Sequence, residues 1–240
     1  MRYTPVLQGA SIVLLGNFNP AIFSPAWFAL QDLIPDFDPL TAVVQVIHGE
    51  YTEFSAGPLK VSVQPERFAI ETMDEPFVKS LDVVLGTFGS ALGHTPIRQV
   101  GINYIIHFAL DTAGQRMKLG RALAPVEPWG GWGQDVGAQS PEVDTPGGLR
   151  SLVMEESEPE GRSKGGYRRV HIEPSVREEF VNAHVGVYMI VNDHFVIDPS
   201  TDAPIDASKG MTILSDKFDG SITKSKSIVS DLMDYASKLK

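Results

Sequence analysis

Asp193, His194, Asp198, Asp202 and Asp206 crowd one short stretch, with His184 a little upstream, and make the densest set of metal-ligating side chains in the sequence. Carboxylate oxygens with an imidazole suit Mg²⁺ or Mn²⁺, and such an ion supports hydrolysis of phosphate esters. The spacing is not that of an EF-hand, which needs Gly at its sixth position and Glu at its twelfth. Asp193, His194, Asp198 and Asp202 are the expected ligands of a divalent ion, the one cofactor the sequence leaves open. The competing reading is that Asp is common in turns and before proline.

Other chemistries find little support. With no Cys there is no thiolate nucleophile, disulfide or Cys-ligated zinc. No Gly-x-Ser-x-Gly, Gly-x-x-x-x-Gly-Lys-Ser/Thr or Gly-x-Gly-x-x-Gly stretch occurs. Gly130-Gly131-Trp132-Gly133 is glycine-rich, yet neither a strand before it nor a helix after it is expected. His107 lies on a strand, where a lone His more often satisfies a hydrogen bond than catalyses. No catalytic residue is assigned.

Two other features suit binding. Trp129 and Trp132 sit three apart in Pro128-Trp129-Gly130-Gly131-Trp132-Gly133, and large aromatic anchors dominate interaction energies. Against that, the same loop folded back would bury both rings on a sheet. Glu155-Glu156-Ser157-Glu158-Pro159-Glu160, followed by Arg162, Lys164, Arg168 and Arg169, reads as an ion-rich hairpin loop, either a solvated connection or a contact surface.

These residues must be carried by elements, and periodicity supplies them. Ser11 to Phe18 is a buried strand stopping at Asn19-Pro20. Ser24 caps a short helix with Pro25 in its first turn, bearing Trp27, Leu30 and Ile34. Strands follow over 42–48, 59–63 and 68–71, the last two joined through a tight turn at Pro65-Glu66-Arg67. A helix capped by Asp74 carries Phe77, Leu81, Val84, Leu85, Phe88 and Leu92 at helical spacing. In 98–110, Val100, Ile102, Tyr104, Ile106 and Phe108 share one face of a long strand. Asp111 caps a weaker helix to about Leu123, and the Pro/Gly-rich stretch 124–148 reads as loop. Strands at 149–154 and 167–172, a hairpin turning at Asn192-Asp193 and a helix over 221–239 complete the chain.

Both halves thus spell β-α-β-β-β-α, one over 1–97 and one over 98–240. The expected fold is α+β: two such units in tandem, related by a pseudo-twofold axis in a duplicated sheet, with helices packed on one face. Val100-Gly101-Ile102-Asn103-Tyr104-Ile105 resembles a stretch of a sporadically distributed family of uncharacterised bacterial proteins of similar length. Their long strand carries a Leu-Gly-Leu-Arg-Tyr-Ile-Asn-like run, and a later strand ends in Ile-Asp, here Ile197-Asp198. Asn103 stands where that family tends to have Arg, and Ile106 where it tends to have Asn. The resemblance implies a fold and no activity; a similar element order also occurs in duplicated folds that clamp DNA, an analogy of fold alone.

The composition bounds the rest. Of 240 residues, 42% are hydrophobic and 21% charged, the profile of a folded domain. A net charge of −10 argues against general affinity for nucleic acid or anionic membranes. The start is polar and no apolar run approaches a bilayer span, so a cytoplasmic protein is expected. The leading expectation is a non-catalytic interaction or assembly protein, its partner another protein or itself, bound through Trp129 and Trp132. The alternative is a metal-dependent hydrolase or nuclease using Asp193 to Asp206. A weaker one is clamp-like nucleic-acid binding through Arg150, Arg162, Lys164, Arg168 and Arg169.

Overall fold

The computed structural model describes residues 5–140, 147–197 and 205–239. The fold is α+β, built on one nine-stranded antiparallel sheet. Its strands are β1 (Leu7–Gly16), β2 (Val43–Ile47), β3 (Thr52–Ala56), β4 (Leu59–Gln64), β5 (Arg67–Thr72), β6 (Ile97–Ala109), β7 (Leu152–Ser157), β8 (Tyr167–Pro174) and β9 (Gly186–Val196). The helices are α1 (Pro25–Leu30), α2 (Val78–Gly86), α3 (Ala113–Leu123), α4 (Gly130–Ala138), α5 (Glu178–Val181) and α6 (Ser208–Ala236). Spatially the strands run β2-β3-β4-β5-β1-β6-β9-β8-β7, so the long strands β1 and β6 meet at the centre.

Alternation in β6 sorts the two faces of the sheet as expected. Val100, Ile102, Tyr104, Ile106 and Phe108 are buried on the side covered by α2 and α6. On that side Phe88, just beyond α2 in a π-helical turn, packs against Phe18, Phe23 and Phe68, and Phe28 of α1 packs edge-on against Phe54. Ser24 caps α1 as expected, its Oγ accepting from Trp27 N, but α1 stops at Leu30, whose side chain is exposed. In α2 the buried stripe is Leu81, Val83 and Val84, while Leu85 is only half-buried.

One row of paired residues crosses the covered face from edge to edge. It reads Val44–Phe54–Val61–Ile70–Ile12–Ile102–Asp193–Arg168–Glu156. On the β1 side of the centre the row is apolar; on the β6 side it turns ionic at positions equally far from the β1–β6 pair.

Several elements depart from expectation. Thr52–Ala56 is a strand, with Thr52, Phe54 and Ala56 buried in alternation, so the first half spells β-α-β-β-β-β-α. No turn forms at Asn192-Asp193: β9 runs straight through, with Asn192 Nδ2 donating to Asn103 of β6 and Asp193 held by Arg162 from the β7–β8 connection and by Ser221 of α6. Thr112, not Asp111, caps α3, accepting from Gln115 N at 3.1 Å. α2 begins at Val78 without a side-chain cap from Asp74. α6 starts at Ser208, well before 221; Gly210 there lets the helix approach Ile97, where a Cβ would lie 3.2 Å from the Ile97 methyl. Among the described residues no helix is long and apolar enough to cross a membrane.

Candidate functional site

The stretch 124–148, expected to be loop, contains a 3₁₀ turn at Glu127–Trp129 that leads into α4. Two of its glycines have a definite structural use. Gly130 sits at φ 58°, the left-handed conformation that lets the chain turn into the helix. Gly133 lies so near the Val126 carbonyl that a Cβ would fall 2.0 Å from its oxygen. Arg121 of α3 ties α4 down, donating through Nη2 to the Gly137 carbonyl. This braced turn places Trp129 and Trp132 edge to face, their centroids 5.6 Å apart, each 63% exposed. The rings lean on each other rather than on the sheet.

Of the expected metal ligands, the two that are described, Asp193 and His194, do not converge. Asp193 and His194 are neighbours on β9, so their side chains leave opposite faces. Asp193, fully buried on the covered face, accepts from Arg162 Nη2 at 2.6 and 2.7 Å, from Ser221 Oγ at 2.6 Å and from Arg168 Nη2 at 3.5 Å. Its oxygens are taken by cations and a hydroxyl, and the Arg162 guanidinium also lies 3.8 Å over the Phe195 ring. His194 stacks on Tyr167 at 4.5 Å on the other face, where burial and the nearby Arg169 lower its pKa. Asp206 lies just ahead of α6 instead, accepting from Ser208 N at 2.9 Å. Asp198 and Asp202 lie outside the described residues. Among those described, no group of three or more His, Asp or Glu side chains could hold an ion.

The charged connection between β7 and β8 is not simply solvated, since Arg162 reaches back from it into the core. Arg168 also pairs with Glu156 at 3.0 Å, and Arg169 with Glu155 at 2.6 Å. Sequence reading missed the Arg162–Asp193–Ser221 association because its members are far apart along the chain.

Across the face that α2 and α6 leave open, a second row reads Ser55–Lys60–Glu71–Ser11–Asn103–Asn192–Arg169–Glu155, polar throughout. At its centre Asn103 Nδ2 donates to Ser11 Oγ at 3.0 Å, and Asn192 Nδ2 donates to Asn103 Oδ1. Asn192 Oδ1 is buried without a donor. Burial raises the pKa of Glu71 beside them. Farther along this face His107 Nδ1 meets Ser175 Oγ at 2.9 Å and its ring packs on Tyr188; burial and Arg177 lower its pKa. The row offers hydrogen bonds to a ligand laid across the strands, but neither a nucleophile paired with a base nor a pair of converging carboxylates.

No family model and no curated protein matches the chain. The site therefore has to be read from its own chemistry.

Proposed function

We propose that the protein acts by binding, as a non-catalytic interaction or assembly protein of the bacterial cytosol whose partner is another protein chain or a second copy of itself. The observation that carries this reading is the exposed Trp129–Trp132 pair on a braced helical turn. A Trp offers about 250 Å², so two rings exposed to this extent leave roughly 300 Å² of aromatic surface uncovered. At about 25 cal/mol per Å² that is on the order of 8 kcal/mol of gross burial energy awaiting a partner, before the costs of association. Because α4 is already folded, docking orders little new chain, and the rings act as rigid anchors.

The double substitution Trp129→Ala with Trp132→Ala tests this. Its melting temperature should stay within about 2 °C of the parent, while self-association in sedimentation, or capture of a partner from host lysate, is lost. Unfolding of the variant, or the same partners and the same oligomeric state retained, would reject the Trp pair as the binding element.

We also read the two halves as an internal duplication. The support is the strand order: in each half the first strand lies at the centre, the last strand beside it, and the others follow outward in reverse order. Clamp-like contact with nucleic acid is disfavoured, because Arg162 and Arg168 are committed to Asp193 and Arg169 to Glu155.

A further inference from the structure

β2 is the outermost strand on one side of the sheet, yet it has the make-up of an interior one. It reads Val43-Val44-Gln45-Val46-Ile47, with no charge and no proline. Its register sets Val43 and Val46 beside Ser55 and Glu53 on the open face, and Val44 and Ile47 beside Phe54 and Thr52 on the covered one. Both faces are therefore apolar, the pattern of a strand with protein on every side. Here Val43, Val44 and Ile47 are exposed instead, as is Leu40 in the 3₁₀ turn Pro39–Thr41 just ahead. The backbone is open too. His48 and Tyr51 exchange both of their bonds across the turn into β3. In the alternation of an antiparallel ladder, Thr52 and Phe54 then face β4, and their β2 partners Ile47 and Val44 turn N–H and C=O outward.

The far side of the sheet is built differently. β7, outermost there, carries Glu155 and Glu156 at exposed positions. A second β7 laid against it would set like charges opposite one another, a common defence of a sheet margin. β2 has no such defence. In a chain of net charge −10, it is the margin that a second copy can approach without bringing carboxylates together in the strand. An antiparallel strand is also its own complement, since a twofold axis normal to the sheet presents it with the backbone pattern it lacks. The register shift between Val44 and Val46 fixes how the copies meet. Val44 and Ile47 share a face and both point their backbone outward, so each is the partner of the other across the axis. The aliphatic surface that Leu40, Val43, Val44 and Ile47 would bury is on the order of 200 Å² per copy. That is small, and interfaces of such size are weak and transient.

We propose that the protein dimerises through β2, two copies pairing antiparallel about a twofold axis so that Val44 of each meets Ile47 of the other and the two sheets run on into one. Sedimentation equilibrium on the full chain carrying Trp129→Ala and Trp132→Ala, from about 5 to 500 µM, takes the proposed Trp surface out of the measurement. A monomer should pass into a dimer as concentration rises. Adding Val44→Lys and Ile47→Lys should weaken that dimer at least tenfold with the circular dichroism spectrum unchanged, while Val153→Lys on β7 should leave it as it was. The Val44→Lys, Ile47→Lys protein with both Trp residues intact should still bind whatever the Trp pair binds, so the two surfaces fail separately. The chain has no Cys, which makes cross-linking clean. Val44→Cys and Ile47→Cys proteins should join by a disulfide when mixed under mild oxidation, and at least fivefold more slowly when either is alone. A monomer across the whole concentration range, a dimer unaffected by the two Lys substitutions, or cross-linking no faster in the mixture than in the separate proteins would each overturn the proposal.

Discussion

Replacing Asp193 with Ala should cost the fold about 3–5 kcal/mol, the range for removing one member of a buried ion pair. The magnitude follows from what the carboxylate holds. It accepts two short bonds from Arg162, one from Ser221 and a longer one from Arg168, and hydrogen bonds to charged groups are worth about 1.5–3 kcal/mol each. Without it the Arg162 and Arg168 guanidinium groups lose the carboxylate they share, with Glu156 left beside Arg168 alone. In a chain of this length each kcal/mol moves the melting temperature by roughly 2–4 °C, so a fall of about 6–20 °C is expected. Urea denaturation at pH 7, followed by circular dichroism and Trp fluorescence, measures it. The apolar half of the same sheet row supplies the control. Ile70 and Val61 occupy the places, on the other side of the centre, that Asp193 and Arg168 hold here. The triple variant Arg162→Met, Arg168→Val, Asp193→Ile should regain at least half of the loss, because an apolar set needs no charge compensation. An Asp193→Ala protein within 1 kcal/mol of the parent, or a triple variant less stable than that single one, would refute the reasoning.

Further outcomes follow from the core and the open face. Phe88→Ala should cost about 3–5 kcal/mol, because Phe18, Phe23 and Phe68 all pack on the ring; Leu85→Ala, at a half-buried position, should cost clearly less in the same urea titrations. Glu71 has a raised pKa in the folded state, so its charge opposes folding above the unfolded value near 4.5 and not below it. Glu71→Gln should therefore raise the melting temperature at pH 7 and leave it unchanged near pH 4; equal effects at both would place the cause elsewhere. Gly133→Ala should drive a methyl into the Val126 carbonyl and loosen α4, seen as a change in Trp fluorescence while the sheet's circular dichroism persists.

What could be read from the chain was whatever short-range pattern decides. β6 announces itself by strict alternation from Val100 to Phe108, α1 by Ser24-Pro25, and the β4–β5 turn by Pro65-Glu66. β3 was equally legible in Thr52, Phe54 and Ala56, yet its short run beside Gly57 hid it. The failures lie where distant partners override local preference. Asn192-Asp193 is good turn chemistry, but Asn103, Arg162 and Ser221 hydrogen-bond the pair and keep β9 extended. The first half of α6 contains Gly210 and Gly220, which lower helix propensity; contact with β6 and β9 supplies the stability. α4 hides among glycines that read as flexibility, though one of them, Gly133, in fact admits the Val126 carbonyl at close range.

The placement of β1 also bears on how the protein is made. Ser11 and Asn103, hydrogen-bonded across the β1–β6 seam, are 92 residues apart in the chain. β5 ends at Thr72 and β6 at Ala109, so at about 5–20 residues per second synthesis leaves an interval of roughly 2–7 seconds in which β1 has β5 on one flank and nothing on the other. The strand that ends in the middle of the sheet thus begins as an open edge of ten residues, able to pair with any other extended chain nearby. β6 closes it first, and α6, translated later, covers β6. An arrest in translation anywhere between α2 and β6 would release a nascent chain whose stickiest margin is its future centre.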